Sequence, residues 1–473
     1  MSGRKKILIG GEWREAAESL TVSNPFTGET LAEVFSADEA ETAEAIALAE
    51  SAAKEMRGLA RFEIARGLRK ISEGIERRKT EFVETIAREA AKPVKAALGE
   101  VERGIATFAW AAGEAERFAG EIVPVDTIAN GIGKTAYTKR VPRGVIYGIT
   151  PFNFPLNLVG HKVAPALASG NAIIIKPSQR TPLTALLLGE VFMESGLSKG
   201  ALQIVPMDTK YIDAVYADER VRMISFTGSA EVGWNIKAKA HKKMVTLELG
   251  GNAPVIVDEW ADFERSLKQT TTGAFAYAGQ VCISVQRVFI HDKIFDRWTE
   301  RFIENARALK KGNPLDEGTE LSAMIDEKAA EKAQGWVAEA AANGAEILCG
   351  NTRERALLDA TIVTKTNPEM RVASEEIFAP VAVVEKFSDF REAVDLANNT
   401  KYGLQAGIFT NDLANMQYAS DNLEYGGVIV NDVPTFRVDN MPYGGVKDSG
   451  FGREGIRYAM EEMSEVRLIV LNS

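Results

Sequence analysis

The chain has 473 residues, 45% hydrophobic and 26% charged, with a formal net charge of −10, about three times the usual single-domain length of ~150. With 56 basic against 66 acidic residues it lacks the cationic balance that phosphate backbones demand, which excludes a nucleic-acid binder. No run approaches the roughly 20 apolar residues of a membrane span, and the apolar stretch after Met1-Ser-Gly-Arg-Lys-Lys is too brief for a signal peptide.

In chain order, Asp38 caps a helix expected over 39–55. Phe62, Ala65, Leu68, Ile71 and Ile75 recur at helical intervals within 60–78, and Pro93 interrupts before a third long helix towards Phe118. Residues 121–141 read as extended. From 141, short β-branched runs at 145–150, 172–175, 202–205, 223–226 and 245–249 alternate with helical stretches at 155–168, 182–195, 210–217 and 229–240. That alternation indicates βαβ units and a parallel sheet. A second alternating set starts at Pro254 and continues past Val428, which puts a boundary near Gly250-Gly251. The apolar tail 466–471 is β-prone and hazardous if left unpaired, so it is expected to dock, on another subunit.

Cysteine and histidine are scarce. Cys282 and Cys349 form no disulfide framework, and His161, His241 and His291 offer no metal-ligand spacing, so a reducing cytoplasm and no metal are expected. Cys282 lies in Phe275-Ala-Tyr-Ala-Gly-Gln-Val-Cys-Ile-Ser and is either a buried structural thiol or a nucleophile. A nucleophile there needs a base or another means of lowering its pKa, and no histidine is near in sequence. Cys349 reads as a core or turn residue.

Three further positions carry alternatives. Glu248, in the apolar run Met244-Val-Thr-Leu-Glu-Leu-Gly-Gly, either faces solvent or is kept inside for a purpose, because an unpaired buried charge costs several kcal/mol. Asn153, between Pro151 and Pro155, is suited to donate to an oxyanion or to cap the next helix. Phe226-Thr-Gly-Ser-Ala-Glu-Val-Gly follows a strand and opens a helix, so Gly228 and Ser229 suit a pyrophosphate, although the spacing to Gly233 is not the Rossmann G-x-G-x-x-G. Lys176 ends a strand, where ligands bind in open parallel sheets.

Together with Ile9-Gly-Gly-Glu-Trp, Asn24-Pro-Phe-Thr-Gly-Glu and Met441-Pro-Tyr-Gly-Gly-Val-Lys-Asp-Ser-Gly-Phe-Gly-Arg-Glu, these elements resemble the aldehyde dehydrogenase superfamily over essentially the whole chain. The Cys282-Ile-Ser-Val context and Phe436-Arg-Val-Asp-Asn-Met-Pro look most like its lactaldehyde/glyceraldehyde type, near the phosphonoacetaldehyde and non-phosphorylating glyceraldehyde-3-phosphate branches. The resemblance implies an α/β fold: a Rossmann-like parallel-sheet cofactor domain (1–121 and 142–249), a second α/β catalytic domain (250–445) and a small β oligomerisation extension (122–141 and 446–473). It implies a homodimer or homotetramer using NAD or NADP. It also implies roles: Cys282 as nucleophile, Asn153 with the Cys282 N–H as oxyanion donors, and Glu248 as the base that activates water. Glu376 would meet the nicotinamide ribose with Phe378 beside it, Gly228 and Ser229 the pyrophosphate, and Lys176 the adenine ribose. Thr150, Pro151, Phe152, Ser178, Gln179, Arg180 and Leu249 complete the implied cofactor set.

Three departures qualify that pattern. Neutral Gln179 stands where NAD-preferring members often carry Glu, so repulsion of a 2′-phosphate is removed and NADP is tolerated or preferred. Val205-Pro-Met-Asp-Thr replaces a glycine-rich turn, and Ala379 replaces a glycine beside Phe378. A helix starting near Asn153 would align Asn157 and His161 towards the substrate, with Val281 and Ile283 flanking the thiol. Arg103 and Arg437 match positions where branches acting on anionic aldehydes place arginines, but Val281 stands where those branches often have Arg. A short hydroxy-aldehyde is therefore the expected substrate and an anionic aldehyde the alternative. A CoA-acylating enzyme is the other alternative, against which Glu248 favours water as acceptor.

Overall fold

The computed structural model describes residues 3–472. Among these, the first large sheet has eight strands, and its middle five are parallel: Met244–Glu248, Val221–Thr227, Val145–Ile149, Ala172–Lys176 and Leu202–Ile204, in that spatial order. These are the five runs anticipated from sequence. They fold so because strands covered by helices on both faces must be apolar throughout, and Ala172-Ile-Ile-Ile-Lys176 is buried at every position. Three antiparallel strands extend the sheet beyond those five: Ile7–Ile9 and Glu12–Arg14 at one edge, Gly450–Phe451 at the other. Chain order reverses at Val145–Ile149, which pairs with Ala172–Lys176 on one side and Val221–Thr227 on the other. This is the switch point at which an open α/β sheet leaves a crevice for a ligand.

The second sheet has seven strands, centred on Ala253–Val257, Val285–His291 and Val381–Phe387, and parallel except for Glu346–Cys349 at one edge. Helices cover both, as the resemblance implies. Between Arg61–Arg77 and Val94–Arg117 lies a helix not anticipated, Lys79–Ala90, closed by Ala91 in the left-handed region at φ +49°.

The tail corrects one expectation. Ser464–Asn472 pairs antiparallel with Lys134–Pro142 of the same chain over nine residue pairs, from Ser464 opposite Pro142 to Asn472 opposite Lys134. That pairing satisfies one side of the strand within the chain and leaves the other as a sheet edge. Gly450–Phe451 also departs from the outlined extension, because it joins the first sheet opposite Leu247 and Glu248.

Candidate active site

The candidate residues converge where the C-terminal ends of the first parallel strands face the N-terminal ends of the second set. Pro151 and Pro155 hold residues 151–156 out of a helix, and Asn157–Ala168 begins only after them. Asn153 is therefore not on the helix with Asn157 and His161, contrary to the expected single face. Nor does it cap that helix. The buried Glu100 carboxylate reaches across from Val94–Arg117 and accepts the Leu156 and Asn157 N–H groups at 2.9 and 3.2 Å. Its other oxygen pairs with buried Lys92, whose ammonium lies over the rings of Phe154 and Tyr277. The Asn153 amide is left to donate to the Gln280 carbonyl at 2.9 Å, and its own oxygen has no partner among the described residues.

Gln280 belongs to the loop that presents the thiol. Tyr277, Ala278 and Gly279 are successive left-handed residues, with φ of +50°, +53° and +65°. Only glycine takes this conformation without strain, and a Cβ on Gly279 would meet the Ala379 carbonyl at 2.0 Å. The coil ends at Cys282, which is half-buried, whereas Cys349 is buried with its sulfur towards the Ala360 carbonyl. Cys282 Sγ lies 3.2 Å from the Tyr443 hydroxyl. Burial pushes the thiol up to about 11, opposed by that contact and by the charge on Arg437, and aided by Glu376 and Glu248.

Glu248 ends its strand facing inward, not to solvent, and its Oε2 has no partner among the described residues. Burial, then the nearby Glu454 carboxylate, raises its pKa well above the ordinary carboxylate value, against Arg437, Lys162 and Arg453. The two glycines that follow let the loops close in. A side chain on Gly250 would strike the Glu376 carboxylate and one on Gly251 the Cys282 carbonyl. Glu376 accepts the Gly251 N–H at 3.1 Å and burial raises it to about 7. Phe378, itself left-handed at φ +53°, packs edge-on against Phe152.

Beside the thiol lies a charged cluster. Arg437 stacks over the Tyr443 ring at 3.7 Å and donates to Glu454 and His161 Nδ1 at 2.9 and 3.0 Å. His161 Nε2 is 2.9 Å from Asp439, which also takes Arg103 at 2.7 Å and the Thr107 hydroxyl. Lys162 reaches Glu454 at 3.3 Å. Burial works against both acids, yet His161 and Arg103 hold Asp439 well below the carboxylate range, and Lys162, His161 and Arg437 do the same for Glu454. Arg103, Arg437 and Lys162 therefore face Asp439 and Glu454, with Glu248 and Arg453 adjoining. Arg103 Nε, Arg437 Nε and both polar atoms of the Asn157 amide are buried with no hydrogen-bond partner among the described residues, Arg437 Nε standing 3.9 Å from Asp439 Oδ1. Ile283 packs with Leu404 and Tyr443, with Val281 and Met441 at the margin of the same apolar group.

The switch-point crevice fits a dinucleotide. Thr150 and Thr227 Oγ1 are buried and unpartnered among the described residues, on either side of the reversal. Gly228 and Ser229 open the helix Ala230–Lys239, whose N-terminus suits an anion. Leu249 is buried at the adjoining strand end, where its N–H meets the Ser449 carbonyl. Lys176 is buried at its strand end, its pKa lowered by burial against the pull of Asp208. Gln179 donates to the Met207 carbonyl at 3.3 Å, so the Val205-Pro-Met-Asp-Thr turn adjoins the Lys176 end of the crevice. Ser178 accepts the Arg180 N–H, and the Arg180 side chain turns to Asp326 at 2.8 Å.

This fold and site define an oxidoreductase of the dinucleotide-binding α/β class with a thiol at its centre. Residues 13–469 match the aldehyde dehydrogenase family, and the chain belongs to that NAD(P)-dependent family. It is 42% identical over 468 residues to a 3-sulfolactaldehyde dehydrogenase of Priestia aryabhattai, covering 98% of each chain. It is 39% identical over 475 residues to a lactaldehyde dehydrogenase of Methanococcus aeolicus, covering 99% and 100%. Among solved structures, aldehyde dehydrogenase 21 of Physcomitrella patens in complex with the reaction product succinate superposes at a TM-score of 0.98 and 41% identity, covering 100% and 99%.

Sequence reasoning did not single out Tyr443, Lys162, Glu454, Asp439, Gln280 or Glu100. Tyr443, Glu454, Asp439 and Gln280 stood within motifs named above, but nothing local signals which side chains of a loop meet a thiol more than 150 residues away.

Proposed function

We propose that the chain oxidises a short aldehyde bearing an anionic group to its carboxylic acid through a thioester on Cys282. The carrying observation is Cys282, with the Asn153 amide on its loop and Arg103, Arg437 and Lys162 paired with Asp439 and Glu454 beside it. The thiolate forms an S–C bond to the carbonyl carbon, and the π pair moves to oxygen. Asn153 Nδ2 keeps one hydrogen on Gln280 and offers the other, with the Cys282 N–H, to that oxyanion. A bound nicotinamide dinucleotide supplies the acceptor for the hydride the oxyanion expels, held by the Thr150, Lys176, Gly228–Ser229 and Glu376–Phe378 surfaces. Glu248 then takes a proton from water, whose oxygen bonds to the thioester carbon as the C–S bond breaks.

For the substrate, the guanidinium Nε atoms of Arg103 and Arg437, which lack hydrogen-bond partners, favour a carboxylate, sulfonate or phosphate, which Arg binds through paired donors. The relatives named for sulfolactaldehyde and holding succinate agree. A neutral hydroxy-aldehyde is the second reading, favoured by Val281 beside the thiol and by the lactaldehyde relative. A single steady-state panel decides: sulfolactaldehyde and succinate semialdehyde against lactaldehyde and glyceraldehyde, each with NAD and NADP. The anionic aldehydes should show kcat/KM higher by about tenfold or more, about 1.4 kcal/mol; the reverse order rejects the anionic reading. In the same panel, NADP is used well because no carboxylate stands at Gln179. Gln179→Glu should lower NADP use relative to NAD by about tenfold, and an unchanged ratio removes the charge argument.

A homo-oligomer is also proposed. The edge strand Ser464–Asn472 exposes Val466, Leu468 and Val470 at alternate positions, with Leu471 beside them. A second copy covers that face. Sedimentation should give a dimer or tetramer that Leu468→Glu weakens; a monomeric wild-type protein rejects it.

A further inference from the structure

We propose that the Tyr443 hydroxyl is a catalytic group that donates a hydrogen bond to the Cys282 thiolate and thereby governs how readily the nucleophile ionises. This rests on the reading of Cys282 as nucleophile and answers what that reading left open: what favours the thiolate when no histidine adjoins it.

The geometry is specific. Tyr443 is 3% exposed, and a buried phenol requires a partner. Among the described residues, the only hydrogen-bond partner of its hydroxyl is Cys282 Sγ, at 3.2 Å. The tyrosine is fixed on the other sides. Its backbone exchanges two hydrogen bonds with Glu454, its ring packs with Ile283 and Leu404, and the Arg437 guanidinium covers the ring face at 3.7 Å. A cation over the ring draws electron density from it and makes the hydroxyl a better donor.

The chemistry follows from the donor count. Between a thiol and a phenol either atom can donate, and the contact is weak. A thiolate can only accept, so the phenol must donate, and a charge-assisted bond is roughly twice as strong as a neutral one. The interaction therefore favours the ionised sulfur over the neutral one. On ionisation the S–H proton passes to water, while Tyr443 keeps its own proton. When sulfur bonds to the aldehyde carbon, its charge moves to the oxyanion and the phenol is released from that duty. Burial is the largest influence and opposes the thiolate; of the groups facing the sulfur, Tyr443 and Arg437 favour it and Glu376 and Glu248 oppose it.

Tyr443→Phe keeps the ring under Arg437 and removes only the donor. In the full-length protein, alkylation of Cys282 by iodoacetamide, followed by peptide mass mapping across about pH 7 to 10, reads the rising thiolate fraction below the thiol's own range, without aldehyde turnover. The curve should move about one pH unit to the alkaline side, so that alkylation at a fixed pH slows about tenfold. The kcat for aldehyde should fall with it while KM changes little. An alkylation curve that does not move overturns the proposal, even if turnover falls, because a packing role alone would leave ionisation unchanged. Oxidation surviving in Cys282→Ala would overturn the nucleophile reading instead, so the two failures are distinguishable.

Discussion

Cys282→Ala should reduce aldehyde oxidation to background, a loss of about 10⁴-fold or more in kcat, measured as dinucleotide reduction at saturating substrate. An aldehyde holds its hydrogen poorly disposed to leave as hydride until an oxyanion pushes it out, and only covalent addition creates that oxyanion. The alanine cannot add. Nothing nearby replaces it, since Cys349 is buried on the second sheet and faces a backbone carbonyl. Dinucleotide binding should survive, because the Thr150, Lys176 and Gly228–Ser229 surfaces lie on the first sheet and do not depend on the sulfur. A variant that binds cofactor normally and reduces none of it assigns the loss to chemistry. Retained turnover would end the mechanism.

Glu248→Gln separates the two halves of the reaction. The amide fills the same volume but cannot accept a proton from water, and removal of a general base costs about 10²–10⁴-fold. Hydride transfer should remain as a rapid burst of reduced dinucleotide, about one equivalent per site, followed by steady turnover slower by that factor. The acyl group should then be recoverable on Cys282 by mass. The pH dependence has a defined sign. Burial and Glu454 raise the Glu248 pKa, so the active carboxylate accumulates only as pH rises. Wild-type thioester hydrolysis should climb with pH, and Glu248→Gln should lose that climb. A steady-state rate equal to wild type, with no burst, would remove Glu248 from its role.

The burial of Glu248 illustrates why strand pattern alone left it open. Alternation along Met244–Glu248 is masked because the strand is covered on both faces, so no period-2 signal marks the inward side. The ambiguity at Asn153 had a different source. Helix-capping chemistry is local and readable, but here the cap is Glu100, contributed by a helix more than 50 residues earlier. That frees the Asn153 amide for the thiol loop. The expected common face for Asn153, Asn157 and His161 failed for a local reason: two prolines postpone the helix until Asn157.

Much was determined by the sequence alone. The alternation of β-branched runs with helices specifies the five parallel strands, since burial on two faces demands continuous apolar runs of strand length. The ordered motifs specify the family and place Cys282, Glu248 and Glu376 at strand ends and turns. Tertiary structure decided the rest, where partners are distant in the chain. It paired the tail with Lys134–Pro142, set Arg103, Arg437 and Lys162 against Asp439 and Glu454, and brought Tyr443 to 3.2 Å from the thiol. Hydrogen bonds and ion pairs act over a few ångströms in space irrespective of chain separation, and local patterning carries no record of which distant loops will meet.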